Sequence, residues 1–217
     1  METVAAEPRL DVAFVRRWID NLHGLVREAE PLLTELDAAI GDADHGANMT
    51  RGLGAAVSRL ASASASGPGE ALLDVGSALV SAIGGASGPL YGTVFSAMGR
   101  SLPSETSVAP ADLVAALREA LRGVQKIGAA VVGDKTMIDA IAPAVADLER
   151  AMANGESLPA ALGTAAEAAS KGAEATIPMR ARKGRASYLG ARSEGHQDPG
   201  ATSSALLFRA LSAAAPA

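Results

Sequence analysis

Apolar residues recur along this chain at the three- and four-residue spacing of an α-helix. Phe14, Trp18, Leu22 and Leu25 set the pattern, with Asp11 placed to cap it, and predict a first helix over roughly 11–34. Met49, Leu53, Val57 and Leu60 repeat it. Leu72, Val75, Leu79 and Ile83 mark a third helix, closed by Gly84-Gly85, and Pro89 stands in the first turn of a fourth that carries Leu90, Val94 and Met98. Leu113, Leu117, Leu121, Val124 and Ile127 predict a fifth; Met137, Ile141, Val145, Leu148 and Met152 predict a sixth. The nearly all-alanine stretch 158–175 is a seventh. A last helix runs from about 200 to 213, with Asp198-Pro199 as cap and first residue. Between these stand the turn SASASGPGE (62–70) and a long non-periodic stretch, 178–198.

Eight helices with mostly short links imply an all-α, antiparallel up-and-down barrel or bundle. In such a bundle alternate links lie at the same end. The links after the first, third, fifth and seventh helices are 37–48, 84–88, 133–136 and 184–200, and they hold most of the unusual residues. Topology therefore gathers four modest motifs at one rim.

Composition agrees with helices. The 217 residues are 48% hydrophobic but only 3% aromatic, so the core is aliphatic. No domain boundary or repeat is visible, and one domain over residues 1–217 is expected. There is no cysteine, which excludes disulfides and thiolate metal sites and fits a cytoplasmic location. The N-terminus does not read as a signal peptide, and no stretch approaches the ~20 apolar residues of a membrane span. A net charge of −5 argues against a nucleic-acid surface.

The four links carry candidate chemistry. Asp37, Asp42 and Asp44 repel one another unless a cation lies among them, and hard cations such as Mg²⁺ take oxygen ligands of this kind. The same aspartates read equally as caps and turn formers, with Asp44 capping the next helix. His45 can donate to a phosphate, act on a transferred proton, or make a backbone hydrogen bond; Asn48 is as ambiguous. GGASGP (84–89) feeds a helix start, where backbone N–H groups and Ser87 suit an anion, or it is a tight turn. GAAVVGDKT (128–136) is not a P-loop: Asp134 separates glycine from lysine, and no strand precedes it. Lys135 lies near the site or pairs with Asp134 or Asp139 on the surface. Arg180, Arg182, Lys183, Arg185 and Arg192 make 178–200 locally basic, either for a phosphoryl group or as a solvated loop. A His196–Asp198 catalytic pair lacks any serine or cysteine elbow to serve. Acids for metal, glycine turns for phosphate and arginines for transferred charge are together what phosphoryl transfer needs. A nucleotide-binding regulator and a purely structural helical adaptor are the competing readings.

LDAAIGDADHGANMTRG, GGASGPLYGTVF, GDKTMIDAIAP and GRASYLGARSEGHQDPGATS together resemble the nucleotide-binding L subunits of dihydroxyacetone kinases, from about residue 10 to 212. The resemblance implies a helical barrel binding ADP or ATP through two Mg²⁺ ions held by Asp37, Asp42 and Asp44. It implies that His45, Gly46, Ala47 and Asn48 line the phosphate and ribose region, that Ala86 and Ser87 contact the nucleotide, and that Gly128 and Met137 border the adenine. Arg185, Asp198, Pro199 and Gly200 would close the site, with Asp37, Asp42, Asp44, His45 and Arg185 as its reactive end. It further implies a partner K subunit holding a small keto sugar, dihydroxyacetone or a relative. The phosphate source is either ATP or a phosphohistidine carrier, the M subunit of a phosphotransferase system, with the carrier favoured. Ala43 departs from the glycine usual in the family, at about 1 kcal/mol if φ is positive. Ala191 replaces a common acid.

Overall fold

The computed structural model describes residues 8–216, and the fold is all-α apart from one pair of two-residue strands. The reading of the N-terminus as no signal peptide concerns in part residues 1–7, which lie outside the described residues.

The chain begins with β1 (Leu10–Asp11), then α1 (Val12–Glu28). The Asp11 carboxylate accepts from Phe14 N at 2.9 Å, as a cap should. The apolar stripe of α1 buries Phe14, Trp18, Leu22 and their neighbours. Trp18 is fully buried, its ring centroid 5.3 Å from that of Phe95, and its Nε1 donates to the Leu207 carbonyl at 3.1 Å.

The single helix expected over 11–34 is two. It divides at Ala29, and α2 (Glu30–Ile40) begins afresh. Pro31 lies in the first turn of α2 and has no N–H to give the Arg27 carbonyl, so the ladder breaks there. α2 runs on to Ile40 and carries Asp37 in its last turn.

Seven further helices follow: α3 (His45–Ser62), α4 (Pro68–Ala82), α5 (Ser87–Ser101), α6 (Pro110–Gly128), α7 (Ile138–Ala153), α8 (Leu158–Ala175) and α9 (Pro199–Ala213). That makes nine α-helices among the described residues, not eight, because of the break at Ala29. The stretch expected to be non-periodic contains a 3-10 helix, Arg185–Ser193, interrupted by Gly190 at φ 59°. β2 (Ser107–Val108) pairs antiparallel with β1, Leu10 against Val108. Two residues per strand are too few to show alternation in sequence.

From α3 to α9 each helix packs on the next, α9 packs on α1, and α1 packs on α3, so the order of neighbours returns to its start. Small residues allow close approach. A Cβ at Gly99 would stand 2.6 Å from the Gly69 carbonyl, so α4 and α5 touch through their backbones. The core inside is Leu, Val, Ala and Met with a few aromatics. No helix among the described residues is long and apolar enough to cross a membrane.

Candidate functional site

All four links, with the chain ends of the helices they join, line one cavity of about 400 Å³. One end is acidic. Asp37 is buried, and its Oδ2 accepts from Asp44 N at 2.9 Å and His45 N at 3.1 Å. Asp37 therefore caps α3 from another helix. Gly41 is required behind it, since a Cβ there would lie 2.9 Å from Asp37 Cγ. Asp44 stands at the N-cap position of α3 but makes no side-chain cap bond, so the capping role read for it in sequence falls to Asp37. Asp42 and Asp44 are exposed. Between them Ala43 sits at φ 61°, a left-handed conformation that alanine adopts at a cost.

One oxygen from each of Asp37, Asp42 and Asp44 lies within 4.8 Å of the others. That spacing and the all-oxygen donor set fit a hard divalent cation. Arg185 Nη2 reaches Asp42 Oδ2 at 3.0 Å and supplies the only ion pair found for this cluster among the described residues.

His45 opens α3 and is buried. Its Nε2 lies 2.8 Å from Ser203 Oγ, and its Nδ1 lies 3.3 Å from Ser87 Oγ. Burial lowers its pKa below the usual imidazole value, against the opposing fields of Asp37 and Asp44. Ala86 and Ser87 reach the cavity from the glycine turn, where Gly85 takes φ 65°. Gly46, Ala47 and Asn48 do not line the cavity wall. Gly46 faces α2, where a Cβ would collide with the Glu30 carbonyl and the Thr34 hydroxyl. Asn48 is buried and its Oδ1 accepts from Arg51.

The cavity also has an apolar lining: Leu90, Val124, Ile127, Met137 and Ile138, with Gly128 at the last residue of α6. The link 129–137 forms its floor. Asp139, in the first turn of α7, accepts from Thr136 N at 2.8 Å and from Gly133 N of this link, and Asp134 accepts from Val131 N at 3.0 Å. Lys135 is neither on the surface nor paired with those acids. It is 1% exposed, and its Nζ donates to the Thr176 carbonyl at 2.6 Å and to the His196 carbonyl. Burial lowers its pKa, opposed by Asp198, Asp139 and Glu194.

Of the five basic residues in 178–200, Lys183 and Arg185 line the cavity. The segment is folded back on itself: Ser193 Oγ accepts from Ala181 N at 2.9 Å, and Gly195 N donates to the Ile177 carbonyl at 2.8 Å. Asp198, Pro199 and Gly200 complete the wall. Asp198 is buried and caps α9, accepting from Ala201 N at 2.7 Å. Burial pushes its pKa up to about 7 in spite of that bond and of Lys135. His196 is exposed, and no hydrogen bond or ion pair joins it to Asp198 among the described residues.

Sequence reading missed Tyr91, Ser203 and Ser204. The Tyr91 hydroxyl lies 2.6 Å from Ser203 Oγ and 3.0 Å from Ser204 Oγ. The available signal was helical spacing: Tyr91 stands four residues after Ser87, and Ser203 four after Pro199, on the faces that carry the site.

The DAK2 domain model matches residues 39–213. The chain is 42% identical, over 91% of its length and 94% of the other, to the "PEP-dependent dihydroxyacetone kinase, ADP-binding subunit DhaL" of Escherichia coli K12. It is 43% identical, over 93% of its length and 96% of the other, to the ADP-binding subunit DhaL of PEP-dependent dihydroxyacetone kinase 1 of Listeria innocua. Among solved structures, the dihydroxyacetone kinase of C. freundii in complex with AMP-PNP and Mg²⁺ superposes with a TM-score of 0.72 at 28% identity. That match covers 99% of this chain and 37% of the longer kinase.

Proposed function

The chain belongs to the DAK2 domain family, and on that footing we propose that it is the ADP-binding, phosphoryl-transferring subunit of a dihydroxyacetone kinase. One observation carries the reading: three carboxylates converge in a cavity that also has an apolar lining. A nucleotide has the matching two-part chemistry. Residues 1–217 act in this reading as one nucleotide-binding domain in the cytoplasm.

Asp37, Asp42 and Asp44 would hold Mg²⁺, two ions by family resemblance, and the bound cation supplies positive charge against phosphate oxygens. The chain's own groups do the rest. Arg185 carries a planar fork of donors to the acidic end, on the side where phosphoryl oxygens would stand. Ala86 and Ser87 flank the same end at the start of α5, where backbone N–H groups favour an anion. The first-turn N–H groups of Gly46 and Ala47 serve the same purpose, so these residues, with Asn48 behind them, would act through backbone rather than side chain. Gly128 and Met137 bound the base, and Asp198, Pro199 and Gly200 fix the wall across from Ser87.

A partner K subunit would present the keto sugar. The exposed apolar side chains Val131 and Val132, in the link that lines the cavity, and Tyr188, three residues past Arg185, are candidates for its contact. For the phosphate source we favour a phosphohistidine carrier with ADP retained as cofactor. The relatives that match over 94% and 96% of their own lengths are named PEP-dependent and ADP-binding. By contrast, the match to the D-erythrulose kinase of Mycolicibacterium smegmatis, which favours a kinase of another keto sugar, covers 35% of that protein.

Reconstitution tests this. With a K subunit loaded with dihydroxyacetone, the reading predicts transfer from a phosphorylated carrier at catalytic ADP. Transfer from ATP without the carrier would favour the keto-sugar kinase instead. No transfer from either donor would reduce the chain to a nucleotide-binding regulator.

A further inference from the structure

Behind the acidic end of the cavity a line of polar side chains runs into the helical body. His45, Ser203, Ser204 and Tyr91 are all buried. Buried polar atoms have to share their hydrogens consistently, so the hydrogens can be counted. Ser203 Oγ has one hydrogen and four neighbours: His45 Nε2 at 2.8 Å, Tyr91 Oη at 2.6 Å, and the carbonyls of Pro199 and Gly200 at 3.0 and 3.2 Å. The carbonyls only accept. A helical serine ordinarily gives its hydrogen to the carbonyl four residues back, which here is Pro199.

Two lone pairs then remain on Ser203 Oγ. The phenol of Tyr91, whose other neighbours are the Gly200 carbonyl at 3.1 Å and Ser204 Oγ at 3.0 Å, is the stronger acid of the two hydroxyls and directs its hydrogen into one, at the shortest distance in the group. With the Ser203 hydrogen placed on the Pro199 carbonyl, the other lone pair faces His45 Nε2 at 2.8 Å and takes it as a donor. A neutral ring has one N–H, so Nδ1 is bare, 3.3 Å from Ser87 Oγ at the cavity wall.

We infer that Ser203, clamped by Tyr91, is a positioning residue that fixes His45 as its Nε2–H tautomer and turns Nδ1 to the cavity as a hydrogen-bond acceptor. The inference rests on the nucleotide-site reading above and narrows it. His45 receives a hydroxyl at Nδ1, from Ser87 or from the sugar of the nucleotide, and is not a donor to phosphate. Ser87, with its hydrogen turned to His45, presents oxygen lone pairs to the ligand.

The test is a two-bond proton–nitrogen NMR spectrum of protein labelled with nitrogen-15 histidine, at neutral pH without nucleotide. The chain has three histidines, and the His45 signals are assigned by their loss in His45→Asn. Wild type should show the Nε2–H pattern; an Nδ1–H pattern overturns the inference without any further variant. Ser203→Ala should populate the Nδ1–H form and weaken ADP binding about tenfold. Tyr91→Phe, which keeps the core volume, should do the same to a smaller extent. An unchanged tautomer and unchanged ADP affinity in both variants would also overturn it. If wild type binds no ADP at all, the functional reading falls, while the tautomer pattern still stands or falls by its own spectrum.

Discussion

The link between α2 and α3 and the link between α6 and α7 line the same cavity and are built from similar residues. Each, taken with the helix turn beside it, has two or three aspartates, a glycine, and non-glycine residues at positive φ: Ala43 in one, Ala129 and Lys135 in the other. Their carboxylates are spent differently. In the second link Asp134 and Asp139 accept from the backbone of their own loop, and Lys135 turns inward to two carbonyls. Every charge there closes a fold. In the first link Asp42 and Asp44 stand exposed, with Asp37 alone serving the backbone and Arg185 the one partner of Asp42. Charge in a sequence does not separate function from structure; what the charge is bonded to does. An aspartate bonded to its own loop stabilises the fold; Asp44, which faces two others and has no side-chain partner among the described residues, is stabilised by something that binds.

The sharpest way to break this comparison is to neutralise one acid in each link. Asp44→Asn should weaken Mg²⁺-dependent ADP binding about a hundredfold, near 3 kcal/mol, with a melting temperature close to wild type. Titration calorimetry beside a thermal melt reads both; a large melting shift with intact affinity would reverse the roles of the two links. Asp139→Ala should do the opposite. It leaves Gly133 N and Thr136 N without their acceptor and should cost about 2–4 kcal/mol in urea unfolding, while folded protein retains ADP affinity.

A subtler effect concerns Asp198. Its folded pKa of about 7 lies above the ordinary 3.8, so the folded state holds this proton more tightly than the unfolded chain. The group therefore makes the protein less stable as pH rises from about 4 to 7. His45, with its lowered value, acts the other way below about 6.5, and the two partly cancel. Asp198→Asn keeps a carbonyl to accept from Ala201 N. The difference in stability between variant and wild type should grow in the variant's favour from pH 5 to 7; a difference that stays flat with pH would contradict the assignment. Smallest is the respect in which the two links are alike. Ala43→Gly and Ala129→Gly each relieve a left-handed alanine and should stabilise by about 0.5–1 kcal/mol in a thermal melt. A loss of stability in either would mean that its positive φ carries no strain.

Much of this was legible in sequence because it depends on local period. The helices follow from apolar spacing, and the alternation of links explains why 37–48, 84–88, 133–136 and 184–200 supply one cavity wall. The acidic cluster follows from three aspartates within eight residues. What escaped depends on partners far along the chain. Lys135 reads as a surface lysine until the Thr176 and His196 carbonyls are placed beside it. Tyr91 and Ser203 are 112 positions apart, and no spacing rule joins them. Gly46 and Asn48 sit in the right motif, yet helix phase turns Gly46 onto α2 and Asn48 toward Arg51. Pro31 signals the break at Ala29, but the apolar stripe continues across it and masks that signal.

The central claim is that this cavity keeps a nucleotide. The measurement that tests it most directly is the nucleotide content of the purified protein after desalting and denaturation. Wild type should carry about one ADP per chain and Asp44→Asn none. An empty wild-type protein that also fails to bind added Mg-ADP would contradict it.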